Sequence, residues 1–168
     1  MHITSLPSPY GIGTFGAEAE KFADWLKSAG QKYWQVLPIG PTGYGDSPYQ
    51  PFSSFAGNPL MIDLDELCEN GYITREECAA SDYGADPSYV DFDKVSETKT
   101  QLLRKAFGKF EDDVGYTSFI LEEAEWLDDY ALFTALKAKF GGRPWNMWDD
   151  DIKLRKPEAI ERYTDELR

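Results

Sequence analysis

The sequence predicts an α/β fold that opens with a βαβ unit and continues in helices. Two short apolar runs typical of strands, at 3–6 and 33–39, flank a segment with helical periodicity at 18–29. From residue 63 onward the apolar residues recur at helical spacing. We therefore expect two parallel strands joined by a right-handed crossover, followed by a mainly helical region.

Local signals mark the ends of several predicted helices. Gly30 follows the helix at 18–29, and Gly71 follows a short helix at 63–70, each where a C-terminal glycine is expected. Thr74 and Glu77 have the spacing of a capping box and begin another short helix. Longer helices are predicted at 94–110 and 119–140, and Pro157 opens the last one.

Two parallel strands do not make a self-sufficient sheet, because parallel sheets are buried on both faces and need several strands. The last predicted helix also reaches Arg168 without a capping glycine or asparagine. These observations predict that the chain is part of a larger parallel sheet or barrel. The alternative is a small α+β domain with further strands that the pattern does not reveal.

Charge and composition exclude several classes of partner. The formal net charge is −13, so nucleic acid and acidic membrane surfaces would repel the chain. No apolar run approaches the length that spans a bilayer, and residues 1–11 lack the pattern of a secretory signal. We expect a cytoplasmic protein that binds neither nucleic acid nor membrane.

The sequence contains few metal ligands of the usual kind. Its two cysteines, Cys68 and Cys78, are ten residues apart and its one histidine is His2, which argues against a zinc site or a disulfide scaffold. We expect free thiols in a reducing compartment, no metal and no organic cofactor.

The segment at 41–60, PTGYGDSPYQPFSSFAGNPL, is the strongest candidate for a binding site. It follows a predicted strand and has no regular hydrophobic period, and loops of this length in compact domains are usually functional. Its aromatic rings beside short polar groups suit a sugar, which can stack on a ring while its hydroxyl groups bond to fixed donors and acceptors. The alternative is an ordered structural loop held by its prolines.

Several specific motifs follow one another along the chain. They are LPSPYGIG at 6–13, WQVLP at 34–38, GPTGYGDSPYQ at 40–50, SFAGNPL at 54–60 and WLDDYALF at 126–133, followed by Trp145 and Trp148. In this order they resemble the N-terminal region of the 4-α-glucanotransferases, the amylomaltase or disproportionating-enzyme family of glycoside hydrolase family 77. The resemblance covers nearly the whole chain.

This resemblance implies the N-terminal part of a (β/α)8 TIM barrel with an inserted, mainly helical subdomain. Residues 1–62 would form the first βαβ unit of the barrel and its substrate loop, and residues 63–168 would form the inserted subdomain. The loop at 41–60 would lie at the C-terminal face of the barrel, where such barrels build their active sites. The remainder of the barrel would be the chain's main protein partner.

The activity implied by the family is transfer of α-1,4-glucan segments between maltooligosaccharides or starch-like chains, with retention through a covalent glycosyl-enzyme. That chemistry needs a carboxylate nucleophile and a carboxylic acid/base roughly 5 Å apart. The family takes these groups from later barrel strands, so the resemblance assigns no catalytic residue in this chain.

The resemblance does imply substrate contacts in the loop. Tyr49 matches a tyrosine that lines the sugar site beside the scissile bond, and Ser47 is implied to contact sugar hydroxyls. Tyr44 matches a tyrosine that in some members belongs to a second glucan site. Asp46 either bonds to sugar hydroxyls or braces the loop, and bracing is favoured because aspartate often holds its own turn.

Other residues are better explained by structure. Asp63 and Asp65 resemble a carboxylate pair, but a helix N-cap with a first-turn acid explains them better. Trp145 and Trp148 fit core packing better than a sugar platform. Two further functions stay open: a non-catalytic α-glucan-binding module, and an acidic helical interaction module whose loop is only structural.

Overall fold

The computed structural model describes residues 1–167, apart from the side chain of Tyr44. Those residues form eight α-helices, with short 3-10 turns between some of them, and contain no β-strand. The helices are α1 (Ala17–Ser28), α2 (Leu64–Glu69), α3 (Arg75–Ala79), α4 (Phe92–Phe107), α5 (Val114–Glu122), α6 (Leu127–Lys139), α7 (Asp150–Lys153) and α8 (Pro157–Leu167). The chain divides into two compact units, Met1–Glu111 and a second that begins at Asp112.

The two predicted strands are not formed by the described residues. Ile3–Ser5 is a 3-10 turn, and residues 33–39 have no regular secondary structure. The two segments are nevertheless linked through side chains: Trp34 donates from Nε1 to the carbonyl of Met1 at 2.7 Å, and the Leu37 amide donates to Nδ1 of His2 at 3.2 Å. A parallel strand is defined by a ladder of backbone hydrogen bonds. In the 3-10 turn, the amides of Ser5 and Leu6 donate instead to the carbonyls of His2 and Ile3, at 3.1 and 3.0 Å.

The predicted ends of the short helices are confirmed. Gly30 has φ +75° and Gly71 has φ +79°, the left-handed conformation that ends a helix most easily at glycine. The amide of Tyr72 donates to the Leu67 carbonyl at 3.0 Å, which completes the C-terminal motif of α2. At the start of α3, Thr74 and Glu77 form the predicted capping box.

The predicted single helix at 119–140 is wrong. The structure has two helices, α5 and α6, separated by a turn at 123–126. Trp126 leaves helical geometry, with φ −131° and ψ −24°, and its indole Nε1 donates to the Glu123 carboxylate. The Leu127 amide still reaches the Glu123 carbonyl at 3.0 Å. The apolar residues therefore keep their helical spacing across the turn, so the sequence pattern does not show where the helix is interrupted.

The first unit has its largest core around α2, α3 and α4. Tyr10 from the N-terminal loop packs there with Leu64, Ile73, Cys78 and residues of α4. A smaller cluster joins Ile3, Ala19 and Met61, with Phe22 of α1 against Trp34. These clusters hold the loops at 6–16 and 56–62 against the helices, and so determine where the predicted binding loop begins and ends.

The second unit has a separate aromatic core. Trp148 is buried and stacks on Phe140, with ring centroids 5.5 Å apart, and Tyr163 of α8 packs against the same ring. The Trp148 indole Nε1 donates to the Arg143 carbonyl at 3.1 Å. Core packing of Trp148, which the sequence favoured, is confirmed, whereas Trp145 is exposed.

Candidate functional site

The predicted binding loop at 41–60 is held firmly at both of its ends. The Asn58 amide donates to the Ile39 carbonyl at 2.9 Å, which joins the two ends of the loop. The buried Asn58 side chain accepts from the Leu60 amide at 2.9 Å and caps the 3-10 turn Pro59–Met61. Pro41 is also buried. The two ends of the loop are therefore fixed by hydrogen bonds and burial within the first unit.

Lys99 of α4 adds an anchor that sequence reasoning missed. Its Nζ donates to the carbonyls of Leu60 at 2.7 Å and Ile62 at 2.6 Å, and the residue is fully buried. Burial lowers the pKa of Lys99 to about 8. A signal was present: Lys99 lies on the same face of α4 as Val95, Leu102 and Ala106, where an apolar residue is expected.

Between these anchors the chain folds back on itself. Gly43 comes so close to Gln50 that an added Cβ would lie 2.4 Å from the Gln50 carbonyl oxygen. Gly45 has φ +66° within the 3-10 turn Tyr44–Asp46, and the Gln50 amide donates to the Ser47 carbonyl at 3.2 Å. Glycine is required at 43 for space and suits position 45 for its conformation. The segment at 43–50 is thus a compact double turn.

Two of the predicted contact residues lie at the tip of this double turn. The Tyr49 side chain is 70% exposed, so its ring faces solvent in the first unit. Ser47 accepts a hydrogen bond at Oγ from the Tyr49 amide at 3.3 Å. That bond orients the Tyr49 backbone and leaves the Ser47 hydroxyl hydrogen free to donate to a ligand.

The other two predicted contact residues are less fully defined. Asp46 is exposed and has φ +54°, a conformation that aspartate tolerates better than most residues. Among the described residues its carboxylate has no hydrogen-bond partner, so the bracing predicted for it is limited to its backbone, whose amide donates to the Gly43 carbonyl at 3.2 Å. The Tyr44 side chain lies outside the described part of the structure.

The carboxylates of Asp63 and Asp65 have structural partners, as the sequence favoured. Asp63 caps α2 by accepting from the Glu66 amide at 3.0 Å and also accepts from Thr14 Oγ1. Asp65 accepts from Arg75 at 2.6 Å and from the Tyr10 hydroxyl at 2.7 Å. Burial and the bond to Asp65 raise the pKa of Tyr10 above its usual range.

A cavity of about 790 Å³ opens elsewhere in the first unit. It lies between the loops at 4–12 and 81–90 and is closed on one side by Arg75 and Cys78 of α3. Asp46, Ser47 and Tyr49 do not line it. The predicted sugar contacts therefore lie outside this cavity, in the loop that also carries the exposed aromatic rings of Phe52 and Phe55.

The described residues contain neither a cluster arranged to bind a metal ion nor a helix able to span a membrane. No group of three or more histidine, cysteine, aspartate or glutamate side chains in the described part of the chain is arranged to hold a metal ion. In residues 1–167, no helix is both long and apolar enough to cross a membrane.

Comparison with known proteins identifies the family. The glycoside hydrolase 77 profile, described as 4-alpha-glucanotransferase, matches residues 1–168. The chain belongs to this family. It is 52% identical to a 4-alpha-glucanotransferase of Clostridium butyricum over 100% of its own length, and 48% identical to that of Thermus thermophilus over 95%. The resemblance inferred from the motifs is confirmed.

The structural comparison agrees with the family assignment. An amylomaltase from Streptococcus agalactiae, solved in complex with acarbose, superposes with a TM-score of 0.92 at 43% identity over 99% of the chain. At this identity and score, the chain shares the fold of the corresponding part of that enzyme. The chain spans about a third of these relatives: 35% of the Clostridium protein, 32% of the Thermus protein and 34% of the amylomaltase.

Proposed function

We propose that the protein is a 4-α-glucanotransferase that transfers α-1,4-glucan segments between maltooligosaccharides or starch-like chains. Family membership over the full chain and similarity to an amylomaltase solved with acarbose support this proposal. In this proposal residues 1–168 supply substrate-binding loops, and the catalytic carboxylates come from other parts of a complete enzyme. The reaction retains configuration through a covalent glycosyl-enzyme.

The observation that carries the proposal for this chain is the anchored loop with an exposed tyrosine at its tip. A sugar ring could stack on Tyr49 without a rearrangement, because Asn58 and Lys99 already hold the loop ends. Ser47 would donate its hydroxyl hydrogen to a sugar oxygen while still accepting from the Tyr49 amide. Tyr44 and Asp46 would contribute to glucan binding from the first half of the same double turn.

The finer architecture is also a proposal. In a complete barrel, residues 1–62 would form the first βαβ unit and residues 63–168 the inserted helical subdomain. Exposed apolar side chains in the segment at 33–39 support this view: Tyr33, Val36, Leu37 and Ile39. In a complete barrel, neighbouring strands and helices would bury such a segment. We further propose a cytoplasmic location, with neither nucleic acid nor membrane as a partner, in keeping with the net charge of −13.

The decisive experiment is maltotriose disproportionation by the complete protein and its Tyr49→Ala variant. We expect release of glucose and longer glucans from the wild type, and a loss of about ten-fold or more in kcat/KM from the variant. Tyr89→Ala is the matched control, because Tyr89 is as exposed as Tyr49 but lies outside the loop. It should retain wild-type activity and melting temperature.

The outcomes separate the candidate functions. Equal transfer by Tyr49→Ala and wild type would refute the role of Tyr49 while leaving the enzyme assignment intact. Maltooligosaccharide binding by calorimetry without any transfer would instead favour the non-catalytic glucan-binding module. Neither binding nor transfer would favour the interaction module whose loop is only structural.

A further inference from the structure

The two cysteines of the first unit lie side by side. Cys68 is in the last turn of α2 and Cys78 is in α3, and their Sγ atoms are 3.7 Å apart. Both are free thiols. A disulfide bond requires the sulfurs to approach to about 2.05 Å, and these two thiols are already in contact.

The surrounding contacts hold the two helices in this arrangement. Arg75 of α3 pairs with Asp65 at 2.6 Å and Glu69 at 3.3 Å, both on α2. Gly71 and the capping box of Thr74 define the turn between the helices. These contacts fix the position of α3 against α2 and so bring the two thiols together. None of them involves a sulfur atom.

The two thiols differ in their exposure to solvent. Cys78 is 1% exposed and packs in the main core, whereas Cys68 is only partly buried. Burial, followed by contact with Cys68, raises the pKa of the Cys78 thiol to about 12. Cys68 is thus the thiol that an oxidant in solution can reach first, and Cys78 is positioned behind it.

We propose that Cys68 and Cys78 form a reversible disulfide, which makes the α2–α3 hairpin a site of oxidative modification. The oxidant is a small disulfide such as oxidised glutathione. The Cys68 thiolate attacks one sulfur of that disulfide, forms a mixed disulfide and releases one glutathione thiolate. Cys78 then gives its proton to the glutathione thiolate released in the first step and attacks Sγ of Cys68, forming the Cys68–Cys78 bond and releasing the second glutathione as a thiolate, which takes a proton from water. Two protein thiols are oxidised and one small disulfide is reduced to two thiols.

The product is an added cross-link between adjacent helices. The bond would close a loop from Cys68 to Cys78 and constrain the unfolded chain, which raises the stability of the hairpin. The proposal is independent of glucan transfer, because it depends only on residues in the core of the first unit.

The test is peptide mapping of the complete, natively folded protein after incubation with millimolar oxidised glutathione. Trypsin cleaves after Arg75, between the two cysteines, so the bond would join peptide 33–75 to peptide 76–94. We expect this linked pair to be the main form of both peptides, to disappear on reduction, and to accompany a rise of a few degrees in melting temperature.

Two variants distinguish the steps. Cys78→Ser should accumulate glutathione on Cys68, because the second attack is lost. Cys68→Ser should leave Cys78 reduced in the folded protein. The proposal is overturned if wild-type Cys68 retains glutathione without the linked pair, if both thiols remain free, or if the linked pair forms only after unfolding in guanidinium.

Discussion

Lys99 shows how a single residue supports the binding loop. Its ammonium group is fully buried and donates to two carbonyl oxygens: that of Leu60, the last residue of the loop, and that of Ile62, two residues later. Hydrogen bonds from a charged donor are stronger than neutral ones, and this strength offsets part of the cost of burying the charge. The position of the candidate site thus depends on a residue that is far from it in sequence.

Replacing Lys99 with methionine should destabilise the protein. Lys99→Met keeps the side-chain length but leaves the carbonyls of Leu60 and Ile62 without their donor, which should lower the free energy of unfolding by about 1–3 kcal/mol. Urea denaturation at pH 7 is the measurement. Lys94→Met is the control, because Lys94 pairs with Asp82 on the surface and its loss should cost less than about 1 kcal/mol.

The lowered pKa of Lys99 should make the stability of the protein depend on pH. Its pKa in the folded protein, about 8, lies below the usual 10.5, so between these values the unfolded chain binds more protons than the folded one. The Lys99 contribution to stability should therefore rise with pH in that window, by at most about 1.4 kcal/mol per pH unit. Tyrosines also titrate at high pH, but they are the same in wild type and Lys99→Met. The difference in unfolding free energy between the two proteins therefore reports on Lys99 alone. A difference that stays flat from pH 8 to 10 would contradict the lowered pKa.

At the scale of elements, the helices are determined by their ends. Four of them begin with a side-chain cap: Asp63, Thr74, Asp91 and Asp113 each accept from an amide in the first turn. Between the helices, the connecting turns bring backbone segments into close contact. Caps and turns of this kind act over three or four residues, so their energies are testable by single substitutions.

Removing the capping hydroxyl of α3 should weaken the first unit. Thr74→Ala loses the bond to the Glu77 amide, at 3.2 Å, and should lower the free energy of unfolding by about 1 kcal/mol. Thr100→Ala, at an exposed position inside α4, should be neutral or slightly stabilising because alanine is the better helix former. Thermal melts of the two variants should therefore move in opposite directions or differ by several degrees. Equal melting temperatures would argue that the cap carries no free energy.

The turn before α1 has no space for a side chain at Gly13. A Cβ at Gly13 would lie 2.1 Å from the Ile3 carbonyl oxygen and 2.8 Å from the Leu6 amide, both backbone atoms that cannot rotate away. Gly13→Ala should therefore cost about 3 kcal/mol or prevent folding. Gly57→Ala, which meets nothing within 4 Å, should cost less than about 0.5 kcal/mol. Denaturation and expression yield of the two variants provide the comparison.

At the scale of the whole molecule, the chain consists of two compact units with separate cores and spans about a third of its relatives. The segment at 33–39 immediately precedes the predicted binding loop and leads into it through Gly40 and Pro41. Its exposed apolar side chains, with Tyr33 at 90%, are the feature that a complete barrel would explain.

Hydrogen exchange tests the proposed barrel strand. If residues 33–39 pair with neighbouring strands in the complete protein, their amides should exchange at least about a hundred-fold more slowly than those of the exposed loop at 85–89. Exchange at the same rate in both segments would show that 33–39 is not a strand in the complete protein. Mass spectrometry of peptides that cover the two segments is sufficient.

Features that depend on neighbours along the chain could be predicted from the sequence. These include α1 with its glycine end, the caps of α2 and α3, the start of α8 at Pro157, and motifs specific enough to indicate the family. The helix ends arise from hydrogen bonds between residues a few positions apart, so a short stretch of sequence contains the information they need.

Features that depend on partners distant along the chain could be seen only in the folded structure. The burial of Lys99 under the loop and the contact between Cys68 and Cys78 both arise from packing between separated segments. The predicted strands belong to the same class: a strand exists only when another segment offers its backbone groups, whereas a helix satisfies its own. An apolar run can therefore predict where a strand is able to form, but its neighbours decide whether it does.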